Sequence, residues 1–281
     1  MIDILIEVDG HPQNSYNGSR DKYLTFLPTQ EASLKYKGII SSDWNECLAP
    51  SGPFDPIAFA YPELETELRN TFNKYTSNEL SLRQASDDIR QLLAEPFSER
   101  HMDNFLDKSF SIYRGVSDLI EWASEQQILF MINTTGMQGF FQRALIKKVL
   151  PDVPIIAANP LISYSRTPGD SRYQFEVSEI DDKPKNTIAA MRNFDIPSGK
   201  AVVIGDSGGD GPHFEWGASS GALLIGSMTK VSLSRYCLGK QVQIDQMFGK
   251  TYLPDQERNL EEEYKFNFMD LAPVIEDFIG H

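Results

Sequence analysis

The chain has 281 residues, 41% of them hydrophobic, and carries 26 basic against 40 acidic side chains for a formal charge of −14. That is enough apolar chain to bury a proper core, in one large domain or a domain with an insertion. The acidity excludes the basic footprint that nucleic acid or an anionic membrane requires and leaves a small molecule as the expected partner. Cys47 and Cys237 are too few for a disulfide framework or a thiolate cluster and fit a reducing compartment. The first residues meet charge at Asp3 and Glu7 without a basic leader. No apolar run approaches the ~18 residues of a membrane span, so the expected location is cytoplasmic.

In chain order, residues 2–8 and 23–27 have strand character around the turn-rich NSYNGSRD and predict an N-terminal hairpin extension within 1–35. Short apolar runs at 38–42, 128–133, 155–158, 201–205 and 222–226 then alternate with helical patterns. This alternation is the mark of βα units in a doubly wound, Rossmann-like parallel sheet, whose chemistry sits beyond the carboxyl ends of the strands. Helices are expected at 139–149, at 185–194 with Pro184 near the first turn, at 213–219 and at 268–278. Residues 231–264 give no clear pattern.

Between residues 51 and 114 the alternation stops. Leu64, Leu68 and Phe72 form one stripe, Leu82, Ala85, Ile89, Leu92 and Leu93 a second, and Met102, Phe105, Leu106 and Phe110 a third. The division expected is an α/β core of residues 1–50 and 115–281 with a helical cap domain of 51–114 inserted after the first core strand.

Four strand ends or loops carry chemistry. VVIGDSGGDG delivers Asp206 to a strand end, and its glycines turn the backbone so that Asp210 returns to the same point, a hard oxygen pair suited to Mg²⁺. LFMINTTG presents Thr134, Thr135 and Gly136 ahead of a helix, as a phosphate site or as a helix cap. DKPK brings Lys183 ahead of the helix that leads to the Asp206 strand. KGIISSDWNECL places Asp43 at the end of the first core strand, with Asn45 two residues on.

Asp43, Thr134, Lys183 and Asp206, in that order, resemble the four motifs of the haloacid dehalogenase-like phosphohydrolases. The helical insertion and YRGVSDLIEWA at 113–123 are similar to the phosphoserine-phosphatase-like branch, over roughly residues 36–230. The resemblance implies a Mg²⁺-dependent phosphatase of small phosphorylated metabolites. Asp43 would be the nucleophile that becomes an aspartyl phosphate. The metal would be held by Asp43, the Asn45 carbonyl and Asp206, with Asp210 in support. Thr134, or Thr135, with Gly136 would bind the phosphoryl group, and Lys183 would offset the crowded negative charge.

One position departs from the pattern. The family's phosphatases usually carry a second Asp where this chain has Asn45, and an amide cannot shuttle a proton. His11, Glu46 and His213 are the candidate substitutes. Phosphoryl transfer to another acceptor, or a phosphate-binding regulatory role without catalysis, stays open beside hydrolysis. ILIEVDG, with Glu7 and Asp9, also resembles the first motif, but Glu7 reaches one methylene too far; Asp43 is preferred.

Overall fold

A computed structural model describes residues 35–76, 79–254 and 256–281. The expected hairpin, the Glu7 and Asp9 motif and His11 lie outside the described residues.

The described residues form a seven-stranded sheet in the order β4-β3-β2-β1-β5-β6-β7, with every adjacent pair parallel. The strands are β1 (Gly38–Ser42), β2 (Ile128–Met137), β3 (Ile155–Asn159), β4 (Tyr173–Glu176), β5 (Ala201–Gly205), β6 (Leu223–Ser227) and β7 (Gln246–Phe248). The five expected strands are all present. The edge strands β4 and β7 were not legible, because YQFE and QMF are short and half-polar, as strands bordered on one side only can be.

The inner strands are buried along their whole length, so successive side chains feed opposite layers. Ile40, Ile132, Ile156, Val202 and Ile225 enter one apolar cluster, and Ile39, Met131, Ile155, Val203 and Leu224 enter the other.

Four helices lie between β1 and the rest of the core: α1 (Asp55–Ala60), α2 (Glu65–Thr76), α3 (Leu82–Leu92) and α4 (Glu99–Lys108). The three stripes read from the sequence fall on α2, α3 and α4, except that Leu64 lies in the short helical turn before α2, Leu93 caps α3 and Phe110 lies beyond α4. Ser81 and Ser98 open α3 and α4 with reciprocal capping boxes. α5 (Val116–Glu125) follows and leads into β2; α6 (Gln138–Ile146) connects β2 to β3. The Arg143 guanidinium of α6 grips Asp103 of α4 through two 2.8 Å hydrogen bonds, so this helix of the insertion is fastened to the core layer.

α7 (Asp182–Asn193), α8 (Gly211–Ser220) and α9 (Val231–Gly239) cover the opposite face through Ala190, Phe214 and Leu233. The chain closes with α10 (Leu260–Glu263) and α11 (Ala272–Gly280). The latter packs Ile275 and Ile279 into the first cluster. No helix among the described residues is long and apolar enough to cross a membrane.

Candidate active site

β1, β2, β5 and the first turn of α7 converge at the carboxyl edge of the sheet. Asp43 leaves the end of β1, its backbone N–H donating 2.9 Å to Ile204 O of β5. Asp206 follows β5 directly, and the glycine turn folds Asp210 back beneath it. A Cβ on Gly205 would lie 2.5 Å from Asp210 Cγ, which is why the strand must end in glycine. Asp210 Oδ2 accepts the N–H groups of Asp206 and Ser207 at 2.9 and 3.2 Å. The carboxylates of Asp43, Asp206 and Asp210 are buried, each with an oxygen within 4.8 Å of the others.

Lys183 supplies the central positive charge. The sequence suggested a loop, but Lys183 lies on the first turn of α7, where Pro184 is tolerated because that turn needs no intrahelical N–H partner. Its Nζ is 2.6 Å from Asp210 Oδ1 and 3.2 Å from Asp43 Oδ1. Burial alone would depress the amine's pKa; Asp210 and Asp43 outweigh it and hold the pKa above the usual lysine value.

A buried polar cluster fixes that first turn. Asn133 Nδ2 donates 2.8 Å to Lys183 O and 3.1 Å to Thr187 Oγ1, while Thr187 Oγ1 meets His213 Nε2 at 2.9 Å. Burial pushes His213 down to about 3, so the ring is neutral and serves the scaffold rather than the chemistry. Asn133 was not singled out from the sequence, although it sits one residue before Thr134.

Burial raises the pKa of Asp43 and raises that of Asp206 more strongly, opposed by Lys183 and Lys230 respectively. Asp206 Oδ1 and Asp43 Oδ1 have no hydrogen-bond partner. Lys230 approaches Asp206 Oδ2 at 2.7 Å and also pairs with Glu46, whose Oε1 accepts 2.8 Å from Arg258. Although burial opposes it, the pair of cations lowers the Glu46 pKa. Glu46 is therefore a paired anion and not a free base. Lys230, just before the stretch that gave no sequence pattern, and Arg258, within it, were missed.

The DWN motif has a structural resolution. Asn45 Nδ2 donates 3.2 Å to Ser51 O, and Asn45 Oδ1 accepts from Thr134 Oγ1 at 3.2 Å. The amide thus ties β2 to the start of the helical insertion, a pair of bonds that a carboxylate cannot make. Thr134 belongs to β2 and not to a helix cap, and its Oγ1 also accepts the Gly136 N–H at 3.1 Å. Gly136 has no room for a side chain, because its Cβ would lie 2.2 Å from Asn45 Oδ1.

Above these groups is a cleft of about 710 Å³, lined from the core by Asp43, Asn45, Thr135 and Lys183 and from α2 by Phe72 and Tyr75. α9 contributes Arg235, which has no carboxylate partner among the described residues. Lys185 points elsewhere and pairs with Asp182 at 3.0 Å.

Solved structures share this fold. A substrate-bound phosphoserine phosphatase complex superposes with a TM-score of 0.60 at 17% identity, covering 85% of this chain and 99% of that one. A phospho-aspartyl intermediate analogue of phosphoserine phosphatase gives 0.59 at 16% identity, with the same coverage of 85% and 99%. The chain has the haloacid dehalogenase-like fold. A hydrolase of that family from Salmonella enterica subsp. enterica serovar Typhi gives 0.60 at 15% identity over 87% of this chain and 73% of that chain. No family model and no curated protein matches the sequence.

Proposed function

We propose that the protein is a Mg²⁺-dependent phosphohydrolase that acts on a small phosphorylated metabolite through an aspartyl phosphate on Asp43. The observation that carries this reading is the buried Asp43–Lys183–Asp210 ion-pair cluster beside Asp206, opening into a cleft at the carboxyl edge of a haloacid dehalogenase-like sheet.

The residues fit a hard divalent cation. Asp206 Oδ1 is a buried carboxylate oxygen with no hydrogen-bond partner, Asp43 Oδ1 has only the Lys183 ammonium beside it at 3.2 Å, and hard cations take such oxygens. Asp43, Asp206 and the Asn45 backbone carbonyl would hold the ion. Asp210, with both oxygens engaged by Lys183 and two backbone N–H groups, would support from behind. When bound, Mg²⁺ supplies positive charge against the phosphoryl oxygens and lowers the burial penalty on the carboxylates.

In the first half-reaction an Asp43 oxygen attacks phosphorus and the bond to the leaving oxygen breaks. Lys183 offsets the charge of the nucleophile and the incoming group. Thr134, Thr135 and the Gly136 N–H would receive the phosphoryl oxygens, with Gly136 exchanging its present bond to Thr134. In the second half-reaction water attacks the phosphoenzyme and frees Asp43. The insertion of residues 51–114 would act as the cap that shapes the substrate pocket. Arg235, facing the cleft without a carboxylate partner among the described residues, favours a substrate with a second anionic group.

Asn45 in the acid/base position favours a second reading, a phosphate-ligand binding or regulatory protein. The two separate in one assay. A panel of phosphorylated metabolites with Mg²⁺ should reveal phosphate release that Asp43→Asn abolishes. Binding of the same compounds without release would support the binding protein, and labelled phosphate appearing on a second alcohol would indicate a transferase.

A further inference from the structure

If Asn45 cannot carry a proton, hydrolysis of an alkyl ester needs the proton from elsewhere. The titratable groups around the cleft narrow the choice. Glu46 is engaged by Lys230 and Arg258. His213 lies below the sheet edge, bound to Thr187. Lys183 and Lys230 are each paired to two carboxylates, and Cys47 is buried in the apolar core. The Tyr236 hydroxyl is turned away onto Glu215 at 2.9 Å.

Tyr75 stands apart from all of these. It is on α2 and lines the cleft together with Asp43, Thr135 and Lys183. A Cβ built on Gly209 would lie 3.6 Å from the Tyr75 oxygen, so this oxygen sits over the glycine turn that follows Asp206. Phe72, one turn earlier, lies beside the ring, tilted by 51° with the centroids 6.4 Å apart. The insertion thus brings a hydroxyl to the same cleft that Asp43 and Lys183 line.

We propose that Tyr75 is the general acid of the reaction, donating its proton to the leaving oxygen in the place left by Asn45. This rests on the phosphohydrolase reading above. As the Asp43–phosphorus bond forms and the phosphorus–oxygen bond breaks, the leaving oxygen keeps the bonding pair and takes the Tyr75 proton. When water attacks the phosphoenzyme, the bond to Asp43 breaks and the phenolate takes the proton released by water, which restores Tyr75. Lys183, a charge close enough to act on Tyr75, stabilises the phenolate in between. Burial pushes Tyr75 up to about 12, so the resting group is a phenol and matches a strongly basic alkoxide better than a weakly basic phenolate.

The test is a leaving-group series with the full chain and Mg²⁺, running from alkyl phosphates to nitrophenyl phosphate, with wild type and Tyr75→Phe. Phenylalanine keeps the ring and removes only the hydroxyl. The expected result is a loss of ~10²–10⁴ in kcat/KM for alkyl esters against a loss below ~10-fold for nitrophenyl phosphate, and a steeper dependence on leaving-group basicity. An equal loss across the series would overturn the proposal and make Tyr75 a positioning or cap-closing residue; so would no loss at all. Binding of beryllium fluoride with Mg²⁺ to Tyr75→Phe checks that the site still forms, and failure to bind also counts against a purely chemical role. Wild type that hydrolyses no ester would overturn the phosphohydrolase reading itself and this inference with it.

Discussion

Replacing Asn45 by Asp puts the acid of the family's phosphatases into this site, and the geometry argues that the protein will be harmed by it. The Asn45 amide donates 3.2 Å to Ser51 O and accepts from Thr134 Oγ1 at 3.2 Å. In Asn45→Asp the bond to Thr134 survives, but an oxygen replaces the donor opposite a carbonyl oxygen. The loss is one hydrogen bond plus an unpaired acceptor, about 1–3 kcal/mol. A negative charge is added beside Asp43 as well. For a chain of this size ~3 °C accompanies each kcal/mol, so the midpoint should fall by ~3–9 °C in calorimetry without metal. Thr134→Val cuts the other end, and a double-mutant cycle of Asn45→Ala with Thr134→Val should return a coupling of at least ~0.5 kcal/mol. An unchanged or raised midpoint in Asn45→Asp, with additive Asn45→Ala and Thr134→Val effects, would refute the tie between β2 and the insertion.

Lys183→Met leaves Asp43 and Asp210 buried without their shared cation; urea unfolding should show a loss of ~3–5 kcal/mol at neutral pH that shrinks as the carboxylates protonate. Asp206→Ala should abolish the heat of Mg²⁺ binding while the apo fold persists, and an unchanged isotherm would place the metal elsewhere. Glu46 has a folded pKa below its ordinary 4.5, so its pairs stabilise fully above that pH and fade as pH falls through the lowered value. The stability gap between wild type and Glu46→Gln should therefore be widest near neutrality and close on acidification, whereas a gap independent of pH would contradict the pairing. Asp43 and Asp206 run the other way: their raised pKa values mean that their burial cost diminishes as pH falls.

The inner strands were legible because burial on both faces writes a continuous apolar run, as in AVVIG of β5. Asp43 and Asp206 could be placed together from the sequence because a parallel sheet gathers its strand ends at one edge. Long-range pairing left no such trace. The Lys230–Asp206 and Arg258–Glu46 contacts join residues distant in the chain, and nothing local in TKVSL or ERNLE announces them. Tyr75 was within reach: it continues the helical spacing of Leu68 and Phe72, yet spacing alone reads as packing and does not show that a hydroxyl ends in the cleft. Asn45 was seen as a lost acid; only the positions of Ser51 and Thr134 show what the amide holds together.

The central claim is that Asp43 receives the phosphoryl group. Rapid acid quenching of the wild-type chain with Mg²⁺ and an activated aryl phosphate, followed by reductive trapping and peptide mass spectrometry, locates the acyl phosphate directly. The account predicts a single labelled carboxylate, Asp43, with the label absent from Asp43→Asn. A label on Glu7 or Asp9, or product release with no phosphoenzyme at any quench time, would contradict it.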